Sequence, residues 1–124
     1  MQTEQNQEII LNKPMSRPWG YYIVTSVGKG FQTKIIHVNP GQKLSVQSHN
    51  HRNEHWFVLS GIANVILNND EKILSSGQSV DIPLKAIHSL QNLQETDLEI
   101  VEIQTGDLLS EDDIIRYSDI YGRV

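Results

Sequence analysis

The sequence contains no cysteine, and this absence excludes a whole group of functional sites. Disulfides, thiolate-bound metal ions, iron–sulfur clusters and a cysteine nucleophile all depend on the thiol group. Any metal ion that the protein binds must therefore be held by nitrogen and oxygen ligands.

Long apolar runs and clustered basic charge are also missing. No stretch approaches the roughly 20 apolar residues of a membrane-spanning helix, so we expect no membrane partner. The N-terminal MQTEQNQE lacks a basic region followed by an apolar one, which predicts no secretory signal and a cytoplasmic location. The formal net charge is -5 and the 10 Lys and Arg residues are scattered. This pattern argues against nucleic acid as a partner.

What the sequence does contain is a series of short strand-like segments. Eight segments rich in Val, Ile, Tyr and Phe recur between turns of Gly, Pro, Asn and Asp. They are YYIVTSV, FQTKIIHV, KLSVQSHNH, EHWFVLSG, IANVILN, EKILSS, SVDIPL and LEIVEIQT. Helical periodicity is missing until the tail, where residues 110–117 predict one helical turn with Ser110 as its N-cap. We therefore expect an all-β fold, a sandwich or barrel with a short C-terminal helical turn.

The 124 residues suit a single domain. We divide the chain into an N-terminal arm or added edge strand over residues 1–13 and a barrel domain over residues 14–124. Trp19 and Trp56 are interpreted as core residues more readily than as the walls of a sugar pocket, because an aromatic side chain on a strand is usually buried.

Three of the five histidines lie within seven residues, in the segment GQKLSVQSHNHRNEH. Because side chains alternate along a strand, Gln47, His49 and His51 are expected on one face, with neighbours roughly 6.6 Å apart. Two adjacent members can therefore reach one ion. After a turn, Glu54 can approach the same point from the next strand, and His88 can close the site from across the barrel.

The spacing of these residues resembles the two motifs of the cupins, G-x5-H-x-H-x(3,4)-E-x6-G and G-x5-P-x-G-x2-H-x3-N. Gln takes the place of the first histidine, and Lys takes the place of a glycine in the second motif. The matching positions are Gly41, Gln47, His49, Glu54 and Gly61, followed by Gly77, Pro83, Lys85, His88 and Asn92. The resemblance implies a cupin fold, which is a double-stranded β-helix or jelly-roll barrel. It also implies one divalent metal ion on Gln47, His49, Glu54 and His88.

A second register remains open, in which His49 and His51 form the histidine pair. It leaves only two residues before Glu54 and seven after Gly41, so we prefer the register with Gln47. One carboxylate, two neutral imidazoles and an amide oxygen leave a divalent ion with net positive charge and Lewis acidity. Zinc is the first expectation, and Mn, Fe, Co or Ni are alternatives because mixed nitrogen and oxygen sites accept several ions.

A closer resemblance covers residues 17–123. The segments RPWGYY, PGQKLSVQ and HRNEHW, and the tail segments EIQTG, EDDIIR and DIYGR, are similar to the C-terminal cupin of type II mannose-6-phosphate isomerases. In that family the cupin commonly follows a mannose-1-phosphate guanylyltransferase domain. This chain contains no such domain, so nucleotidyl transfer is not expected of it.

The resemblance implies an aldose–ketose isomerase that interconverts mannose 6-phosphate and fructose 6-phosphate through a cis-enediol. His51 is the predicted base, because the unperturbed pKa of histidine is near neutrality. Arg116 is expected to assist catalysis, as an arginine near the C-terminal end of the domain does in type I isomerases. The substrate-binding candidates are Arg52, Lys85 and Arg123, as donors to the phosphate, and Gln104, as a pocket residue.

Two alternative functions remain open at this point. A metal-containing cupin can serve as a sugar-binding or regulatory module without turnover, since one fold hosts many activities. Oxygen chemistry on iron is a third interpretation. The expected ligand is a small phosphosugar, and the cupin resemblance implies a homodimer, with residues 1–13 as a candidate exchanged arm.

Overall fold

The computed structural model describes residues 9–107 and 109–118. These residues form eleven β-strands and one 3₁₀ turn at Glu111–Asp113. The strands are β1 (Met15–Arg17), β2 (Gly20–Gly28), β3 (Phe31–Val38), β4 (Val46–His49), β5 (Arg52–Ser60), β6 (Ile62–Leu67), β7 (Asp70–Ser75), β8 (Ser79–Ile82), β9 (His88–Gln91), β10 (Leu98–Gly106) and β11 (Ile114–Ser118). Within the described ranges no helix is long and apolar enough to span a bilayer.

The strands form two antiparallel sheets. One sheet has the order β1-β2-β3-β10-β5-β8, and the other has the order β11-β4-β9-β6-β7. The chain moves from one sheet to the other several times, so strands adjacent in sequence often lie in opposite sheets. This arrangement confirms the predicted all-β barrel.

Three strands were not predicted from the sequence. β1 has only three residues, and β9 reads HSLQ, so neither has the run of β-branched residues that predicts a strand. β11 occupies the second half of the segment expected to be helical. The expected helical turn is correct for its start, where the Asp112 amide donates to Ser110 Oγ at 3.0 Å. From Ile114 onward the helical expectation is wrong, because the chain pairs with β4 instead.

The interior of the barrel has an apolar end and a polar end. On β3, β5 and β10 every second side chain is buried, as the strand alternation requires. Two cross-strand rows form the apolar end, Val38–Leu98 and Ile36–Ile100–Val58. Two further rows form the polar end, Lys34–Glu102–Trp56 and Gln32–Gln104–Glu54. The apolar end supplies hydrophobic stabilisation, whereas buried polar groups must be compensated by hydrogen bonds or ion pairs.

Two positions of the cupin-like motifs have a conformational explanation. Gly61 has a φ of 89°, and a Cβ atom there would lie 2.5 Å from the carbonyl oxygen of Asp97. Lys85 stands where the second motif has glycine, and its φ of 65° lies in the left-handed region that glycine adopts at little cost. The motif therefore specifies a backbone conformation at this position, and the lysine adopts it.

The N-terminal segment reaches the edge of β2. Leu11 forms a parallel bridge with Val24, and the Asn12 amide donates to the Val24 carbonyl at 2.8 Å. Residues 1–8 of the expected arm lie outside the described residues. The division of the chain after residue 13 therefore stays a prediction.

Candidate metal centre

Three side chains with metal-binding atoms meet at the polar end of the barrel. His49 ends β4, Glu54 lies on β5, and His88 begins β9. Their ligand atoms all lie within 4.8 Å of one another, and all three residues are buried. The separation between His49 Nε2 and Glu54 Oε2 is 3.1 Å. The structure thus brings together three of the four residues predicted as ligands.

Gln47, the fourth predicted ligand, lies beside this group. It pairs directly with His88 across β4 and β9, and it lines the same cavity as Glu54 and His88. Its Nε2 donates to Ser45 Oγ at 2.9 Å, which leaves the amide oxygen as the group to offer an ion. Two imidazoles, a carboxylate and an amide oxygen suit a divalent first-row ion such as zinc, so the donor set fits the expected metal.

The orientation of both imidazoles is fixed by main-chain carbonyls. His49 Nδ1 donates to the Asp113 carbonyl at 3.3 Å, and His88 Nδ1 donates to the Ala86 carbonyl at 2.9 Å. A carbonyl oxygen only accepts, so Nδ1 carries the proton in each ring. Nε2 is therefore the ring atom that each histidine would offer to an ion, although in the metal-free protein His49 Nε2 contacts Glu54 and Arg52.

The charges of the three ligands also suit a cation. Burial alone would raise the pKa of the Glu54 carboxyl, but the His49 ring and the Arg52 guanidinium outweigh it and hold that pKa well below its usual range. Glu54 is therefore ionised. Burial lowers the pKa of His88 more than the Glu54 charge raises it. His88 is accordingly neutral at physiological pH, the form that binds metals.

Arg52 lies directly against these ligand atoms. Its Nε donates to Glu54 Oε2 at 2.8 Å, and its Nη2 is 3.4 Å from His49 Nε2. Its Nη1 donates to the Ser110 carbonyl at 3.3 Å. Glu54 and His88 line the cavity together with Arg52, whereas His49 does not. In this arrangement the Arg52 guanidinium uses the ligand atoms that an ion would need.

A second carboxyl group, Glu102, lies next to the three ligands. Trp56 Nε1 donates to Glu54 Oε1 at 2.8 Å and to Glu102 Oε2 at 3.2 Å, and Gln104 Nε2 donates to Glu102 Oε1 at 2.7 Å. Burial and the Glu54 charge raise the pKa of Glu102 to about 8, although the charge of Lys34 acts in the opposite direction. Near neutral pH this carboxyl group therefore carries a proton.

Arg116 points into the same cavity from β11. It pairs with Gln47 across β4 and β11, and its side chain is part of the cavity lining. Its Nε atom is buried and has no hydrogen-bond partner within the described residues. A buried guanidinium N–H without a partner costs free energy, and a bound anionic or carbonyl oxygen would satisfy it.

Two of the predicted site residues, His51 and Lys85, lie outside the cavity lining, and a third falls outside the described residues. The side chain of His51 is 49% exposed and lies 3.5 Å from Asp107, outside the cavity lining. The expectation that it follows Gln47 and His49 onto one face is wrong, because β4 ends at His49 and His51 lies in the turn. Lys85 is exposed and likewise outside the lining. Arg123 lies outside the described residues.

The turn that carries His51 is fixed by Asp113, a role that the sequence did not reveal. The Asp113 carboxylate accepts the amide hydrogens of Asn50 at 3.0 Å and His51 at 2.9 Å. The acidic run before β11 thus joins the C-terminal segment to the end of β4.

Gln104 lines the cavity as predicted, but its side chain is only 1% exposed and donates a hydrogen bond to Glu102.

Sequence reasoning also missed part of the cavity wall. Arg17, Tyr22 and Lys34 line the cavity, although none of them belongs to a spaced motif. The pairing of β1, β2 and β3 brings them together. The only indication for Lys34 is the alternation of side chains along β3, which places it on the same face as Ile36. Both Trp19 and Trp56 are core residues that line the cavity, so the two interpretations of these side chains hold together.

Comparison with known structures confirms the class of fold. An RmlC-like cupin from Shewanella frigidimarina superimposes with a TM-score of 0.71 at 18% identity, covering 81% of this chain and 86% of that one. KdgF from Halomonas gives a TM-score of 0.73 at 14% identity, with coverages of 78% and 90%. The protein has the cupin fold.

The family follows from the sequence comparisons. The family model described as the C-terminal part of mannose-6-phosphate isomerase matches residues 4–119, so the chain belongs to this family. Mannose-1-phosphate guanylyltransferase ManC of Salmonella typhimurium is 44% identical over 114 residues, which are 92% of this chain and 24% of ManC. The alginate biosynthesis protein AlgA of Pseudomonas putida is 48% identical over 107 residues, which are 86% and 22% of the two chains. The chain thus spans about a quarter of the length of the curated relatives it matches.

Proposed function

We propose that this chain is a metal-dependent mannose-6-phosphate isomerase, which interconverts mannose 6-phosphate and fructose 6-phosphate. The observation that carries the proposal is the meeting of His49, Glu54 and His88 beside a cavity lined by Arg116, whose buried Nε has no hydrogen-bond partner among the described residues. The family match supports the same substrate. We do not extend the guanylyltransferase activity named for the relatives to this chain, because the match covers only a quarter of their length.

A divalent ion in this chain would be held by Gln47, His49, Glu54 and His88. Zinc is the first candidate, and Mn, Fe, Co and Ni are the alternatives. When bound, such an ion supplies Lewis acidity, which stabilises negative charge on the carbonyl and hydroxyl oxygens of the sugar.

The remaining cavity residues have distinct parts in the proposed reaction. The reaction moves a proton between C2 and C1, and negative charge develops on the adjacent oxygens through a cis-enediol. Arg116 Nε is available to donate to one of these oxygens. Glu102 is the carboxyl group in the cavity lining that lies outside the three-ligand cluster, and we assign the proton transfer to its ionised form in place of His51: the carboxylate accepts the proton from C2 and returns it to C1. Because the pKa of Glu102 is raised to about 8, the carboxyl must first lose its own proton to act as this base. Trp19 and Trp56 exclude water from the cavity.

The test is an assay of the 124-residue chain loaded separately with Zn, Mn, Fe, Co or Ni. Mannose 6-phosphate is added and the appearance of fructose 6-phosphate is followed. Product formation that is abolished by a chelator and restored by the same metal supports the proposal. If the chain binds one ion but gives no product with any of these metals, the isomerase is excluded. A sugar-binding or regulatory cupin without turnover then becomes the better account.

We propose a homodimer as the assembly, with a second copy of the chain on the outer face of the six-stranded sheet. Ile23, Ile35, Val101 and Phe57 are paired in one row across β2, β3, β10 and β5, and this row contains no charge. Pairing two such rows would remove apolar surface from water. Light scattering after size exclusion tests this, and a monomeric mass at micromolar concentration excludes the homodimer.

The cytoplasmic location also stays a prediction, to be tested by cell fractionation.

A further inference from the structure

We propose that Arg17, Lys34 and the hydroxyl group of Tyr22 form the binding site for the phosphate group of the substrate, at the side of the cavity opposite to the metal ligands. The inference rests on the proposed function for the identity of the sugar. It assigns a binding site to residues outside the two spaced motifs, and it takes the place of Arg52 and Lys85 as the phosphate donors.

The two cations are gathered around one aromatic ring. Lys34 Nζ lies 4.4 Å from the centroid of the Tyr22 ring, and Arg17 Cζ lies 5.0 Å from the same centroid. Arg17 Nη2 also donates to the Tyr22 hydroxyl oxygen at 3.3 Å. The cation–π contacts hold both groups against the cavity wall. A guanidinium fork, an ammonium group and a hydroxyl group are the donors that suit a phosphate.

Lys34 is placed in the interior by its position on β3. The residue is only 6% exposed, and it points inward between Gln32 and Ile36 on the same face of the strand. Lysine is among the residues least often buried, because removing its charge from water is costly. Lys34 is paired with Glu102 across β3 and β10, and it also lines the cavity, where its ammonium group can reach a bound anion.

The charge of the cavity favours an anion. Four cations line it, Arg17, Lys34, Arg52 and Arg116, against the two carboxyl groups of Glu54 and Glu102. Even with both carboxyl groups ionised, positive charges exceed negative ones by two. The chain as a whole has a formal net charge of -5, so this excess is local to the cavity. A phosphate dianion matches the sign of that charge.

The site is separated from the metal ligands by a suitable distance. In the sheet, β3 and β5 are on either side of β10, so Lys34 and Glu54 are two strands apart, which corresponds to about 10 Å. Arg17 and Tyr22 lie farther out, on β1 and β2. A sugar phosphate has its reactive carbons at one end and its phosphate at the other. The cavity can therefore bind both ends at once, with the phosphate at Arg17, Tyr22 and Lys34 and the reacting carbons between Glu102 on β10 and the metal ligands.

The earlier phosphate candidates are less suitable in this structure. Arg52 already donates to Glu54 and to the Ser110 carbonyl, next to the metal ligands. Lys85 is exposed and does not line the cavity. Arg116 pairs with Gln47 on the metal side, where it can reach the reacting oxygens.

The experiment is isothermal titration calorimetry on the metal-loaded 124-residue chain, with inorganic phosphate, mannose 6-phosphate and unphosphorylated mannose as separate probes. Lys34→Met and Arg17→Met are each expected to weaken binding of mannose 6-phosphate by roughly 10- to 100-fold, as expected for a lost charge-assisted hydrogen bond. Binding of mannose should not change. Lys34→Arg should retain most of the affinity. Lys72→Met is the matched control, because Lys72 is exposed on β7 and outside the cavity lining.

Circular dichroism and metal content establish that each variant is folded and loaded. If Lys34→Met does not fold, Arg17→Met carries the test, because Arg17 is on the short outer strand β1. Wild-type affinity for mannose 6-phosphate in both methionine variants, with native folds, would overturn the phosphate site. An equal loss of affinity for mannose and mannose 6-phosphate would also overturn it.

The outcome for this site is distinguishable from the outcome for the isomerase. If the wild-type chain forms fructose 6-phosphate but the KM is unchanged in both methionine variants, the phosphate site is excluded and the isomerase stands. If the wild-type chain forms no product but binds inorganic phosphate in a manner that depends on Lys34 and Arg17, the anion site stands and the isomerase is excluded.

Discussion

Arg52 donates from Nε to Glu54 Oε2 at 2.8 Å, and the same oxygen lies 3.1 Å from His49 Nε2. The positively charged Arg52 guanidinium therefore already contacts two of the proposed metal ligands. A metal ion at His49 and Glu54 would compete with the guanidinium for the same lone pairs. Arg52 thus neutralises the buried Glu54 carboxylate in the metal-free protein, and it must give up these contacts when an ion binds.

Arg52→Met is expected to destabilise the metal-free protein by about 3–5 kcal/mol, because it leaves the Glu54 carboxylate buried without its partner. Added zinc should restore much of the lost stability, because the ion replaces the missing positive charge. Thermal unfolding with a chelator and with zinc measures both effects, and Lys72→Met provides the control. An equal gain from zinc in the wild type and in Arg52→Met would show that Arg52 does not compete with the metal.

His88→Ala is expected to abolish metal binding while the barrel remains folded. His88 supplies one of three ligand atoms that lie within 4.8 Å of one another, and its loss leaves only His49, Glu54 and the neutral amide oxygen of Gln47, which is a weak ligand. Elemental analysis of the purified protein measures the metal content. His55→Ala is the matched control, because His55 pairs with Asp81 on the outer surface and is not among the three ligands. The same metal content in both variants would contradict the proposed site.

Arg116→Met is expected to lower kcat by about 100-fold or more, the usual effect of removing a donor that stabilises developing negative charge. Metal content should be unchanged, because Arg116 is not a ligand. Arg116→Lys retains the charge but not the Nε donor, so it should recover little activity. Steady-state kinetics with mannose 6-phosphate measures the effect. A change in KM alone would assign Arg116 to substrate binding.

The free energy of unfolding of the metal-free protein is expected to fall as the pH rises from about 5 to about 8, because Glu102 loses its proton when the protein unfolds. The folded protein raises the pKa of Glu102 to about 8 from an ordinary value of 4.5, so within this window only the folded state retains the proton. The contribution of Glu102 to the free energy of unfolding is complete below the ordinary pKa, and it is lost as the pH rises to about 8.

Chelator-treated wild type and Glu102→Gln are compared by urea unfolding across this window. The difference between them isolates Glu102 from the histidines, which titrate in the same range. The two free energies should diverge as the pH rises, with the variant less sensitive to pH. Parallel pH profiles would show that the Glu102 carboxyl has an ordinary pKa.

Lys85→Gly is expected to leave KM for mannose 6-phosphate unchanged and to alter the free energy of unfolding by no more than about 1 kcal/mol. Glycine removes the cost of the left-handed conformation at this position, but it also increases the entropy of the unfolded chain. Urea unfolding and steady-state kinetics measure the two quantities. A higher KM in Lys85→Gly would show that Lys85 contributes to binding of the phosphate group.

The sequence was informative where the chemistry depends on local spacing. The alternation of strand side chains and the two motifs selected Gln47, His49, Glu54 and His88, and the structure brings His49, Glu54 and His88 together with Gln47 beside them. His51 follows the same spacing, but the strand ends two residues earlier and the side chain turns outward. A periodic pattern does not reveal where the hydrogen-bonded strand stops.

Residues that meet only through sheet pairing were less predictable. Arg17 and Lys34 are separated by a hairpin, and their common neighbour Tyr22 becomes visible only when β1, β2 and β3 are aligned. The strand β11 was missed for a related reason. The residues IIRYS are compatible with a helix or a strand, and pairing with the edge of β4 decides between them.

Because the barrel interior has an apolar end and a polar end, substitutions at the two ends of this protein are expected to have different effects. Val38, Val58, Leu98 and Ile100 are at most 1% exposed and belong to the part of the hydrophobic cluster that does not line the cavity. Substitutions among the charged residues can therefore alter ligand preference while the closure of the barrel is preserved. The same scaffold can acquire a new specificity by small steps, each of which leaves a folded protein.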